Sequence, residues 1–216
     1  MTGWGLEWAK NLLGKPSLVA VTLCVTLTVR AEPTAEEVFA AASQSVVTVL
    51  AFDHQHQPKG LGSGVVIAGE RVVTNCHVLA GAAAAGVVFQ EHGIEARVVD
   101  SMITRDLCLL AVPGLRATPI QRRASAELRV GQRVYALGAP HGLELTFSEG
   151  MISSLRRTGK NPLIQTSAPI SQGSSGGALL SRDGRLIGIT TLQHKTGQNL
   201  NFAVPADWIA QFRSLR

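Results

Sequence analysis

The 216-residue chain is 45% hydrophobic and only 16% charged, which excludes a disordered, charge-extended polypeptide. Aromatic residues make up 5% while Val, Leu, Ala and Gly abound, a composition suited to short strands and tight turns. Lys10, Lys15 and Arg30 against Glu7 account for two charges of the net +5, and no basic run is interleaved with aromatics, so the chain does not read as a nucleic-acid binder.

In chain order, Lys10 and Lys15 precede an apolar run over 18–29, followed by Val29-Arg30-Ala31. That layout predicts a signal peptide over 1–31, cleaved after Ala31, since the run is short for a membrane span. In the alternative, residues 17–29 stay as an uncleaved anchor, and membrane contact is expected only then. Both forms export the rest of the chain to a periplasmic or other extracytoplasmic space. Thr34-Ala35-Glu36-Glu37 reads as a capping box opening a short helix to about Ser43, with Val38, Phe39 and Ala42 on its apolar stripe. Strand patterns follow at 46–52, 64–68, 71–74, 85–90, 94–100 and 106–112. The polar stretch 53–60 holds His54 and His56, two histidines without a third ligand, and reads as a solvated loop, so no metal is expected.

Residues 113–132 carry turn residues and arginines and read as a link. A second strand series follows at 133–137, 144–155, 163–166, 178–181, 185–193 and 201–204, with Asp183-Gly184 as a hairpin turn. Asp207 is placed to cap a last helix over 206–216 bearing Trp208, Ile209, Phe212 and Leu215. Short strands at this spacing predict an all-β domain of two six-stranded barrels over 32–216, the first at about 45–112 and the second at about 133–205, with a short helix at each end.

The chemistry concentrates in Gln172-Gly173-Ser174-Ser175-Gly176-Gly177-Ala178-Leu179. Glycines let the backbone take positive φ and approach a ligand, so such a turn can expose one hydroxyl beside several converging N–H groups. Ser175 is the candidate nucleophile, and the N–H groups of Gly173, Ser174 and Ser175 are the candidate oxyanion donors. A serine needs a base. His77 follows the apolar strand at 71–74, and Asp106 heads the apolar strand at 106–112. The order His77, Asp106, Ser175 is that of the chymotrypsin type of triad. Cys76 adjoins His77, and Cys108 lies two residues after Asp106, on the same strand face. If Asp106 reaches His77, the two cysteines approach within disulfide range, and an exported compartment permits oxidation. Two buried free thiols are the alternative.

These motifs resemble the trypsin-like serine proteases, and specifically the HtrA (Deg) family. The similar segments are Thr74-Asn75-Cys76-His77-Val78, 105–110, Gln165-Thr166-Ser167-Ala168, 173–179, 136–143 and Asn201-Phe202-Ala203-Val204-Pro205, together running from about Val38 to the C-terminus. The chain departs from the family at Gln172, Ser174 and Pro169. The resemblance implies the two-barrel fold and a cleft between the barrels; because the chain ends soon after the last helix, a stand-alone protease domain is expected, without the PDZ domain that many family members carry. It also implies a substrate pocket built by Pro169, Ile170, Ser171 and Gln172 with Thr190 and Thr191. No acid lies among 168–172, so cleavage is expected after small or medium aliphatic residues rather than basic ones. The expected partners are protein or peptide substrates, including misfolded exported proteins, with no cofactor. A catalytically silent protease-fold peptide binder is the other class considered. An α/β-hydrolase elbow is disfavoured because Ser175 follows a polar, Pro-containing loop rather than a buried strand.

Overall fold

The computed structural model describes residues 32–139, 145–156, 162–193 and 200–215. The segment read as a signal or anchor (1–31) and the start of the strand expected at 144–155 lie outside the described residues. Among the described residues, no helix is long and apolar enough to cross a membrane.

Helix α1 (Ala35–Ala42) opens on the expected box: the Thr34 hydroxyl accepts from Glu37 N–H at 3.2 Å, and the Glu37 carboxylate accepts from Thr34 N–H at 2.8 Å. Val38 and Ala42 are buried, while Phe39 sits edge-on to Phe147 with ring centroids 5.6 Å apart.

Strands β1 (Val46–Phe52), β2 (Pro58–Ala68), β3 (Arg71–Thr74), β4 (Ala84–Phe89), β5 (His92–Met102) and β6 (Leu107–Ala111) close into one barrel in the order β1-β2-β3-β6-β5-β4. Strands β7 (Arg133–Gly138), β8 (Thr146–Arg156), β9 (Leu163–Thr166), β10 (Ala178–Ser181), β11 (Leu186–Gln193) and β12 (Asn201–Pro205) close a second in the order β10-β11-β12-β9-β8-β7. Neighbouring strands are antiparallel throughout, and bulges at Ala51/Phe52, Val98/Asp100 and Ile152/Ser154 supply the bending that closure demands. The two-barrel architecture is the one the strand rhythm predicts.

Period-2 alternation explains why β2, β3 and β6 are apolar on both faces. Val66, Val72 and Leu110 fill the first barrel. Their neighbours Val65, Val73, Leu107 and Leu109 point the other way and pack with Tyr135, Leu137, Leu180 and Ile189 of the second barrel. The barrels therefore share a core, and Val38, Ile209 and Phe212 seal it from the two ends of the described domain. Each such side chain contributes about 1.5–3 kcal/mol on burial.

The hairpin turn expected at Asp183-Gly184 joins β10 to β11, with Gly184 at positive φ (78°) and a register shift at Leu179/Leu180. Two expectations need adjustment. Strand β2 begins at Pro58 rather than at 64, because the polar stretch read as a loop pairs with β1 through Ala51↔Gly60 and Phe52↔Pro58. The final helix is not an α-helix. Residues Ala206–Gln211 and Arg213–Leu215 form 3₁₀ turns. Asp207 does not cap them: its carboxylate accepts the Ser125 N–H, at 3.0 Å to the nearer oxygen. Three residues per turn bring Ile209 and Phe212 onto one line, and both are fully buried.

Phe212→Ala is expected to lower unfolding free energy by about 3–5 kcal/mol. Because the cavity opens onto both barrels, the variant should still unfold in one transition, as followed by fluorescence and far-UV circular dichroism in denaturant. A loss below about 1 kcal/mol would show that Phe212 does not brace the shared core.

Candidate active site

His77 lies in a 3₁₀ turn (Cys76–Leu79) that follows directly from β3. Asp106 lies outside the strand expected to carry it, in the left-handed region at φ 56° between the turn Ile103–Arg105 and β6. Aspartate visits that region more readily than most non-glycine residues. The excursion turns its carboxylate toward His77. Oδ2 lies 2.6 Å from His77 Nδ1, and Oδ1 accepts the His77 N–H at 2.8 Å. Thr191 Oγ1 donates to Oδ2 at 2.9 Å. The Asp106 carbonyl accepts from Asn75 Nδ2 at 2.8 Å and Cys76 N–H at 3.3 Å. Burial pushes the Asp106 carboxyl up. The His77 ring and N–H, the charge of His77 and the Thr191 hydroxyl outweigh it and hold the group below the ordinary carboxylate value. It is therefore ionised at neutral pH and keeps a proton on Nδ1, which leaves Nε2 able to accept one.

The loop 171–177, which carries the candidate nucleophile Ser175, is two turns in series. Ser174 N–H donates to Ser171 O at 3.0 Å with Gly173 at φ 92°, and Gly177 N–H donates to Ser174 O at 3.0 Å with Gly176 at φ 86°. Positive φ at the third residue marks both as type II. Glycine is obligatory at 176, where a Cβ would sit 2.1 Å from Ser63 O and 2.4 Å from Thr74 Oγ1. The Ser174 carbonyl also accepts the Thr190 hydroxyl at 2.5 Å. The N–H of Ser175 belongs to the same peptide and so points the opposite way. Among the described residues, the N–H groups of Gly173 and Ser175 meet no acceptor, whereas that of Ser174 is occupied by Ser171.

Ser175 and His77 line one cleft of about 510 Å³. Among the described residues, no hydrogen bond joins Ser175 Oγ to His77: the hydroxyl donates to Thr191 O at 2.9 Å. Thr191 can serve both Ser175 and Asp106 because β11 carries an extra residue between Thr190↔Ala203 and Gln193↔Asn201, a bulge that lifts it out of the ladder. The residues expected to form a pocket are divided. Pro169, Ser171 and Thr190 surround a cavity of about 60 Å³ with Ser174. Gln172 lines the Ser175 cleft, and Ile170 packs in the core of the second barrel. Cys76 and Cys108 are bridged, with Cα atoms 4.9 Å apart, where the pair Thr74↔Cys108 ties β3 to β6.

Residues 62–189 match the trypsin-like peptidase domain. The chain belongs to the trypsin-like peptidase family. Over 166 residues this chain is 35% identical to the serine endoprotease DegS of Haemophilus influenzae, covering 71% of the chain and 49% of the relative. It is 37% identical over 168 residues to the periplasmic pH-dependent serine endoprotease DegQ of Escherichia coli, covering 72% and 37%. Its fold superposes on the HtrA-type protease AlgW with a tripeptide at TM-score 0.76 and 30% identity, over 83% of the chain and 62% of that structure. The chain thus spans half or less of these two curated relatives.

Within the peptidase fold, sequence reading missed Ser63. It is fully buried in the first barrel, yet it holds the loop of the second. Ser63 Oγ donates to Gly173 O and accepts from Ala139 N–H, both at 2.8 Å. Ser63 N–H donates to Ser175 O at 2.8 Å, and Ser63 O accepts Thr74 Oγ1 at 2.7 Å. Only the pattern Gly62-Ser63-Gly64 hints at it, and its partners lie far off in sequence. Asn75, with its amide on the Asp106 carbonyl, was passed over in the same way.

Ser63→Ala should leave the Gly173 carbonyl and Ala139 N–H without their buried partner. Peptide hydrolysis by the variant is expected to show kcat lowered by about ten- to a hundredfold with KM little changed, the signature of a lost transition-state contact. A lowered Tm with wild-type kcat would assign the hydroxyl to stability alone.

Proposed function

We propose that this chain is a serine endopeptidase using His77, Asp106 and Ser175. The observation that carries the reading is the Asp106–His77 bond of 2.6 Å in the same cleft as Ser175, beside two N–H groups that meet no acceptor among the described residues. Rotation of the Ser175 side chain about Cα–Cβ exchanges the Thr191 carbonyl for His77 Nε2, a bond of the kind that tightens when substrate binds. His77 takes the hydroxyl proton as Ser175 Oγ attacks the peptide carbonyl. Asp106 holds the ring and stabilises the imidazolium. The N–H groups of Gly173 and Ser175 receive the oxyanion, with Ser174 shaping the turn between them. His77 then protonates the leaving amine. Water, deprotonated by His77, cleaves the acyl-enzyme and restores the serine.

The residues around the loop carry no acid at 169–172 or 190–191, so a basic side chain next to the cut would lose solvation without gaining a counter-charge. We assign cleavage after Val, Ala or Leu in protein or peptide substrates, including misfolded exported proteins. The silent-binder reading draws its support from the Ser175 bond to Thr191 O. Ser175→Ala and His77→Ala are each expected to lower kcat by roughly a thousandfold or more without unfolding the chain. Comparable hydrolysis by Ser175→Ala would remove it as the nucleophile. Folded wild type that neither cleaves a denatured protein nor reacts with a fluorophosphonate would establish the silent binder. A peptide library dominated by Arg or Lys before the cut would refute the aliphatic preference.

The domain is read as exported, in line with the apolar run at 18–29, the Cys76–Cys108 bridge and the periplasmic relative DegQ. N-terminal sequencing of the mature protein should begin at Glu32. A full-length chain recovered in the cytoplasm with Cys76 and Cys108 as free thiols would overturn export.

A further inference from the structure

The Ser175 cleft has a second half that the pocket residues do not reach. Of the residues around the nucleophile loop, only Gln172, Gly173 and Ser175 line it, while Pro169, Ser171 and Thr190 border the separate small cavity. Beyond His77 the cleft is walled by Leu50, Leu61 and Val78, with Lys59 and Gly60 from the start of β2. On the peptidase reading, on which this inference rests, the residue before the cut lies at the loop 169–172. The chain beyond His77 is then the segment that leaves with the amine His77 protonates.

The strand edge along this half makes it a peptide seat: among the described residues, no strand pairs with that edge of β2 before Val65. The Ser63 N–H and C=O point away from β1, to Ser175 O and Thr74 Oγ1, and residues two apart on a strand present their backbone groups to the same edge. Leu61 therefore turns its N–H and C=O toward the cleft, where β3, whose pairing with β2 starts at Val65↔Val73, does not cover them. An extended segment can add there as a short strand.

Lys59 is the only Asp, Glu, Lys or Arg among the described residues that line the cleft, and no acid among the described residues pairs with it. Its ammonium lies over Gly81, at φ 65°, where a Cβ would come within 2.9 Å of Nζ. Glycine at 81 thus leaves room for the ammonium at the rim of the cleft.

We propose that the leaving-segment half of the cleft selects an acidic side chain, with Lys59 pairing to an Asp or Glu within the three residues after the cut and Leu50 and Leu61 taking an apolar neighbour. An exposed pair of this kind is worth a modest preference, about two- to fivefold.

The test uses the full chain and two fluorescence-quenched peptides, identical through an aliphatic residue before the cut and carrying either Glu or Lys at the second position after it. Wild type is expected to favour the Glu peptide about two- to fivefold in kcat/KM, with the ratio falling toward one at about 0.5 M salt. Lys59→Glu is expected to invert the ratio. Equal kcat/KM for both peptides in wild type, or a ratio unchanged by Lys59→Glu, would overturn the subsite while leaving the peptidase intact. Failure to cut either peptide, with Ser175 unreactive toward a fluorophosphonate, would overturn the peptidase reading and the subsite together.

Discussion

A half-buried carboxylate stays charged only if its lone pairs are filled, and Asp106 meets that demand by drawing donors from both barrels. His77 gives its ring and its N–H from the first, and Thr191 gives its hydroxyl from the second. The left-handed backbone at Asp106 aims the carboxylate outward, while Asn75 and Cys76 hold its carbonyl. Removing any one donor would leave a charge partly desolvated with less compensation. The bulge in β11 and the turn after β3 can both be understood as supplying those donors.

The loop 171–177 shows how rigidity is distributed within a few residues. The Gly173–Ser174 peptide is held at both ends, by Ser63 Oγ and Ser171 O. The Ser174–Ser175 peptide is anchored through its carbonyl by Thr190 and Gly177, and the Ser175–Gly176 peptide by Ser63 and Thr190. Only the Gln172–Gly173 peptide has no hydrogen bond among the described residues. The Ser175 donor is thus built into the scaffold, whereas the Gly173 donor depends on the type II form of one turn. Converting that turn to type I would reverse the peptide and cost few contacts.

Much of this was legible in the residues and some was not, for identifiable reasons. Short runs built on apolar residues between turn or polar segments announce themselves, which is why the limits of β1, β3, β9 and β10 could be read directly. The spacing of His77, Asp106 and Ser175 carried the chemistry because each borders a buried strand. Asp106 seemed to begin its strand because Leu107-Cys108-Leu109-Leu110 is apolar, and nothing local reveals a left-handed φ at an aspartate. Ser63 and the first part of β2 were illegible because polar and glycine residues read as loop until a distant partner satisfies them. The last helix was misread because Ile209 and Phe212 fit either helical period, and the competing bond from Ser125 to Asp207 is a long-range one.

The tail after β12 does not stop at the barrel that produces it. Trp208 packs under the guanidinium of Arg105, the residue before Asp106. Ser214 donates its N–H to Asp100 at 3.1 Å and its hydroxyl to Val99 O at 3.2 Å, both on β5. Tension on the backbone at Ser214 would therefore load β5 and, through the β5–β6 ladder, the strand that begins beside Asp106. The tail thus works as a clasp, tying the end of the second barrel to the strand pair that leads to the Asp106 turn.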